Sequence, residues 1–166
     1  NNKPIKIGVA GLGTVGVGVL KILKKNQTRI ANLIDRKLQV VAVSAKNQSK
    51  SRKVNLNGIE WVNNSLDLAA RDDIDIVVEV IGGSSDPAKK LIELALSNGK
   101  HVVTANKALL AEHGHSLALM AEDKKVALRF EAAVAGGIPI IKTLTEGLTS
   151  NSIYRVAGVM NGTCNY

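Results

Sequence analysis

The stretch Gly11-Leu12-Gly13-Thr14-Val15-Gly16 constrains this chain more than any other. Three glycines at that spacing stand between an apolar run, Ile5-Lys6-Ile7-Gly8-Val9-Ala10, and a helical pattern that begins Val17-Gly18-Val19-Leu20. The order reads strand, tight turn, helix. Gly11 permits the sharp turn, Gly13 leaves room for an anionic group to touch backbone, and Gly16 lets the helix pack close on the strand. The N–H groups at the helix start have no partners within the helix, so they are free to face the phosphates of a dinucleotide. The spacing alone recurs by chance, and a merely structural glycine turn is the alternative. The buried-type strand before it and the apolar-periodic helix after it favour the dinucleotide site.

The second strand, at residues 38–43, ends in Ser44-Ala45-Lys46-Asn47-Gln48-Ser49-Lys50-Ser51-Arg52-Lys53. Sites of this type that take NAD place Asp or Glu near this point to hold the ribose hydroxyls, and none is present. Cations and hydroxyls here suit a 2′-phosphate, which a carboxylate would repel, so NADP is expected, with NAD possible and with Lys46 and Arg52 as contacts. A solvated loop is the alternative reading.

Along the rest of the chain, residues 15–33 keep helical spacing with a break expected at residues 26–28. Residues 59–62 read as a short strand, and Ser65 is placed to cap a helix over 66–71. Residues 74–81 are nearly all apolar, as in a strand buried on both faces, and run into Gly82-Gly83 at the sheet edge where ligands of open α/β sheets bind. Asp86 and Pro87 suit the start of a helix over 88–97, and Asn98-Gly99 its end. His101-Val102-Val103 is a central strand, followed by Thr104-Ala105-Asn106-Lys107 and a helix over 108–122. A lysine at a helix start stands against the macrodipole, and partial desolvation there would lower its pKa, which suits proton transfer.

Residues 126–130 form a further strand before Glu131-Ala132-Ala133-Val134-Ala135-Gly136-Gly137-Ile138-Pro139, a helix reaching residue 148, and a last strand over 153–160. Glu131 is the only charge in its loop, and one carboxylate with nearby carbonyls suits either a hard cation or hydrogen bonding to backbone. His101, His113 and His115 lack metal-ligand spacing and read as ordinary packed or surface residues. Met120 and Met160 read as core fillers. The fold class that follows is α/β, a Rossmann-type doubly wound, mainly parallel sheet with helices on both faces.

Composition narrows the function classes. A chain of 166 residues fits one domain, and a domain near this size buries roughly 70% of the surface its unfolded form exposes. The formal charge of +8 raises nucleic acid as a partner, but the basic residues are spread along the chain and Phe130, Trp61, Tyr154 and Tyr166 are scattered, which argues against it. The longest apolar run, at residues 76–81, is cut by Glu79, so no membrane span is expected. Cys164 is the only cysteine and no apolar leader stands at the start, which points to a reducing cytoplasm.

Taken in order, the glycine turn, Ile81-Gly82-Gly83, Thr104 to Lys107, Glu131 to Pro139 and Asn161-Gly162-Thr163-Cys164-Asn165-Tyr166 resemble homoserine dehydrogenase over the whole chain. The resemblance implies reversible reduction of aspartate 4-semialdehyde to homoserine by a nicotinamide cofactor, a step toward threonine, methionine and isoleucine. It implies that Thr14 and Val15 join Gly11, Gly13 and Gly16 on the pyrophosphate; Gly82, Gly83 and Thr104, at the same carboxyl edge of the sheet, are expected to line the cofactor, with a structural helix-entry loop as the alternative for the two glycines. It places Lys107 beside nicotinamide and substrate as the catalytic residue. It also implies a monovalent cation, sodium first, on Glu131 with main-chain oxygens of Val134, Gly136 and Ile138. Family members continue into a substrate and dimerisation domain. Residues 1–166 are therefore expected to be the cofactor-binding domain of a longer homo-oligomeric enzyme, inactive alone. Two other readings stand beside this one: a stand-alone nucleotide-binding or sensing module without catalysis, and an aspartate-semialdehyde dehydrogenase, an acylating enzyme that would need Cys164 as its nucleophile.

Overall fold

The alternation of Ile7 and Val9 with Gly8 and Ala10 lets β1 (Ile5–Ala10) bury both of its faces, which makes it a central strand. In the computed structural model, which describes residues 3–158, β1 is the third strand of six. The others are β2 (Leu38–Ser44), β3 (Glu60–Trp61), β4 (Ile76–Glu79), β5 (His101–Thr104) and β6 (Leu128–Arg129). Their spatial order is β3-β2-β1-β4-β5-β6, and every pairing is parallel. The chain winds outward from β1 to one edge and then returns to β4 to wind toward the other. That reversal opens a crevice beyond the carboxyl ends of β1 and β4.

The helices are α1 (Thr14–Lys25), α2 (Gln27–Ile34), α3 (Asp67–Ala70), α4 (Ala88–Ser97), α5 (Lys107–Asp123) and α6 (Ile140–Lys142). Two apolar clusters follow from the strand alternation. Ala10, Ala42, Val77 and Val102 pack with Leu68, Leu91, Leu96, Leu109 and Leu117 from α3, α4 and α5, while Ile7, Val9, Val43 and Val78 pack with Leu20 and Leu23 of α1. The five leucines of the first cluster are essentially solvent-free, and truncating any of them to Ala would cost about 2–5 kcal/mol. Met120 packs against the same cluster, as a core filler should. Lys100 is buried but satisfied, its Nζ donating to the carbonyls of Arg71 (2.6 Å) and Ile74 (3.0 Å). Among the described residues no helix is long and apolar enough to cross a membrane.

Several expectations need correction. The break between the first two helices falls at Asn26, as expected, but α2 buries no residue fully and Leu33 is 74% exposed. Asn64, not Ser65, supplies the side chain before α3, accepting from the N–H of Leu66 at 3.1 Å. The β4 ladder starts at Ile76 rather than at residue 74, because Ile74 turns its side chain into the core while Asp75 accepts from the Lys6 N–H. The last strand, expected over 153–160, does not form over 153–158: those residues pair with no described strand and are exposed. Residues 159 and 160, with Met160, lie outside the described residues.

Candidate functional site

A cleft of about 630 Å³ lies at the chain reversal, lined by Gly11, Leu12 and Gly13, by Ser44 to Asn47, Lys50 and Arg52, by Asn63 to Ser65, and by Val80 to Gly82 with Asp86 and Pro87. The glycine turn forms its floor. A side chain on Gly11 would fall on the Val80 carbonyl, and one on Gly16 would fall on the Gly11 carbonyl. These two glycines therefore serve packing. Gly13 differs, because a Cβ there meets nothing within 4 Å. Its missing side chain leaves backbone open to the cleft beside the start of α1. No side chain caps α1, and no acidic residue lies in its first turn, so its positive end faces the cleft unneutralised. Thr14 and Val15 are exposed on that first turn. On the opposite side Gly82, in the lining, and Gly83, just outside it, take positive φ (87° and 85°) with open space beyond them. Bare backbone on both walls and an open helix N-terminus fit a dinucleotide.

At the end of β2, Arg52 is tied down. Its guanidinium donates to the carbonyls of Leu12 (3.3 Å), Asn47 (2.6 Å) and Lys50 (3.0 Å) and lies over the Trp61 ring, 5.1 Å from its centre. Asn47 Oδ1 in turn accepts from the Lys50 N–H and the Ser49 hydroxyl. The loop after β2 is thus internally bonded and fastened to the glycine turn through Arg52, although residues 46–51 remain exposed to solvent. It carries Lys46 and Lys50 exposed on the cleft wall. Lys50, Asn64 and Asp86 were not among the expected cleft residues, since their placement depends on how loops after β2, β3 and β4 converge.

The residues beyond β4 and β5 form a second unit. Glu79 is 0% exposed; its Oε1 accepts from the N–H groups of Ile81 (2.7 Å) and Gly82 (3.3 Å), and its Oε2 accepts from the Thr104 hydroxyl at 2.6 Å. Thr104, 1% exposed, accepts in turn from the Asn106 N–H (3.0 Å). The Asn106 side chain donates to the Gly83 carbonyl (2.7 Å) and accepts from the Leu109 N–H (3.2 Å), which caps α5. Lys107 is the first residue of α5. It is exposed rather than partly desolvated. Thr104, Gly83 and Lys107 adjoin the cleft lining without being part of it. Sequence reading passed over Glu79 except as a charge interrupting an apolar run, and that interruption was the signal.

Glu131 is half-buried, and its two oxygens accept from the N–H groups of Ile141 (3.2 Å) and Lys142 (3.0 Å) at the start of α6. This is the backbone-bonded geometry of the two alternatives for that carboxylate. The Val134 and Ile138 carbonyls each accept one turn N–H, from Gly137 (3.1 Å) and Ile140 (2.7 Å), and each keeps a second lone pair. Oxygen-only donors of this kind suit a hard cation. Among the described residues no group of three or more His, Cys, Asp or Glu gathers to hold a metal. His101 has a structural partner, its Nδ1 accepting from the Ala127 N–H at 2.9 Å. The segment Asn161 to Tyr166, with Cys164, lies outside the described residues.

Comparison with known proteins agrees with this geometry. Residues 11–131 match the family model described as the NAD binding domain of homoserine dehydrogenase, and residues 139–166 match a second model described as homoserine dehydrogenase. The chain is 45% identical to homoserine dehydrogenase of Neisseria gonorrhoeae and 44% identical to that of Pseudomonas aeruginosa, each over 99% of this chain and 37% of the relative. The crystal structure of a homoserine dehydrogenase from Thiobacillus denitrificans superimposes with a TM-score of 0.82 at 47% identity, covering 89% of this chain and 34% of that one. The chain thus spans about 37% of the length of the curated relatives it matches.

Proposed function

The chain belongs to the homoserine dehydrogenase family and carries that family's NAD-binding domain; from that premise we propose that it is the cofactor-binding part of an NADP-preferring enzyme that interconverts homoserine and aspartate 4-semialdehyde. The observation that carries the reading is the cleft at the chain reversal. There an open Gly13 and an uncapped α1 face a β2 loop with Lys46, Lys50 and Arg52 and no carboxylate of its own. The loop cations favour a 2′-phosphate, and the α1 amides favour the pyrophosphate.

When bound, the cofactor supplies or accepts the hydride. The chain's residues do the rest. Gly11, Gly13, Thr14, Val15 and Gly16 seat the pyrophosphate, Lys46 and Arg52 attract the 2′-phosphate, and Gly82 and Gly83 leave the far wall bare for the ring. Thr104 supports the turn that carries Lys107. The Lys107 ammonium, at the carboxyl edge of β5, stabilises the substrate oxygen as it gains negative charge and exchanges its proton. Glu131 and the carbonyls of Val134, Gly136 and Ile138 would hold a monovalent cation, sodium in the first instance, where it would order the turn leading to α6.

The reading includes residues 1–166 as the cofactor-binding domain, and a substrate domain and homo-oligomeric assembly in the longer enzyme, in keeping with relatives of which this chain covers 37%. Exposed Val103 (39%), Ile138 and Leu148 support a covering partner at the β5 and β6 end of the sheet. A cytoplasmic setting is supported by the single cysteine. The test is a chimera in which this chain replaces the matching part of the Neisseria gonorrhoeae relative. NADP-dependent oxidation of homoserine by the chimera is expected, and a folded chimera without that activity overturns the proposal.

A further inference from the structure

Glu79 is the one carboxylate among the described residues that is fully buried, and its strand neighbours Val77 and Val78 show that an apolar side chain is accommodated on either face there. Burying a carboxylate is unfavourable unless hydrogen bonds compensate it. Two of its three donors come from the loop after β4, Ile81 and Gly82, and the third is Thr104, the last residue of β5 and its partner in register. Asn106 closes the ring by bonding Thr104 through its N–H and Gly83 through its side chain. The carboxylate therefore ties the loop after β4 to the end of β5, where the chain turns into α5.

We propose that Glu79 is a positioning residue that sets the spacing between the Gly82–Gly83 wall and the Thr104–Lys107 turn, and so the nicotinamide half of the cofactor cleft. The inference rests on the dinucleotide reading of that cleft. None of its hydrogen bonds reaches the glycine turn or the β2 loop, where the pyrophosphate and adenosine end belong. A glutamine cannot replace it. Two N–H groups approach one oxygen and a hydroxyl approaches the other, so an amide of the same shape must aim its NH₂ at a donor or leave the Thr104 hydroxyl without its acceptor.

The experiment compares two probes on this chain by calorimetric titration: NADPH, and 2′-phospho-ADP-ribose, which lacks the nicotinamide. Glu79→Gln is expected to weaken NADPH by about tenfold or more while changing the nicotinamide-free probe by less than about twofold. Thr104→Val, which removes one hydroxyl and keeps the volume, is expected to give a smaller loss of the same selectivity, and it decides the matter if Glu79→Gln does not fold. Equal losses for both probes, or no loss for either, overturn the positioning role. If the unmodified chain binds neither probe, the dinucleotide reading falls and this inference falls with it.

Discussion

The guanidinium of Arg52 lies over the indole of Trp61, 5.1 Å from the ring centre, while its Nε donates to the Leu12 carbonyl in the glycine turn. One side chain thus fastens the loop after β2 to both β3 and the floor of the cleft. Arg52 was expected to act only as a phosphate contact, and its carbonyl partners add a structural duty. Trp61 is the chain's single tryptophan, so its emission reports on this loop. NADPH binding is expected to shift that emission more than NADH binding. Arg52→Lys keeps the charge but loses the planar fork, and should weaken NADPH by about 1–3 kcal/mol in a Trp61 fluorescence titration.

Two glycines of the turn, Gly16 and Gly13, are expected to separate in their effects. Gly16→Ala sets a methyl against the Gly11 carbonyl, and overpacking of that kind costs about 1–3 kcal/mol in urea unfolding. Gly13 has φ −78°, which alanine adopts freely, and its Cβ would meet open space. Gly13→Ala should unfold like the unmodified chain and yet bind NADPH at least about tenfold more weakly, since the methyl occupies the phosphate approach. Equal stability losses in the two variants would contradict this division.

Away from the cleft, Arg71 grips Asp73 through two hydrogen bonds (2.9 and 3.1 Å) and also reaches Glu60. The hydrogen bonds from Arg71 hold the Asp73 carboxyl below the usual aspartate range. A carboxyl whose folded pKa is lowered stabilises the protein above the unfolded value, and that stability is lost as pH falls through the folded value. Asp73 is partly exposed, so the effect is small, about 1 kcal/mol or less. Asp73→Asn should therefore reduce stability at neutral pH and show a shallower loss than the unmodified chain below about pH 4, measured by urea unfolding across that range.

Much of this was legible in the sequence because it is local. Ile5–Ala10 and the glycine turn lie within one continuous stretch, and their period and spacing fix strand, turn and helix without reference to anything distant. The Glu79–Thr104 bond joins residues 25 apart, so it was invisible until β4 and β5 were aligned in register, Glu79 opposite Thr104. The second duty of Arg52 is hidden for a related reason, since four backbone carbonyls that come within reach of its fork only in the folded loop accept from it. Lys107 shows the reverse, since desolvation was expected at a helix start that lies open at the sheet edge.

In the chimera with the Neisseria gonorrhoeae relative, Lys107→Ala is expected to lower the turnover rate constant by roughly a hundredfold or more, the usual range for a lost general acid or charge stabiliser. Cofactor affinity should change much less, because the pyrophosphate and ribose contacts lie elsewhere. Near-native turnover in a folded variant that binds cofactor would assign proton transfer elsewhere.

Calorimetric titration of the 166-residue chain with NADPH and NADH tests the central claim most directly. The account predicts saturable one-to-one binding of NADPH, tighter than NADH by about 1–3 kcal/mol, with the difference removed by Lys46→Ala together with Arg52→Ala. Binding of neither nucleotide by the folded chain would contradict the cleft as a cofactor site, and equal or reversed affinities would contradict the 2′-phosphate assignment.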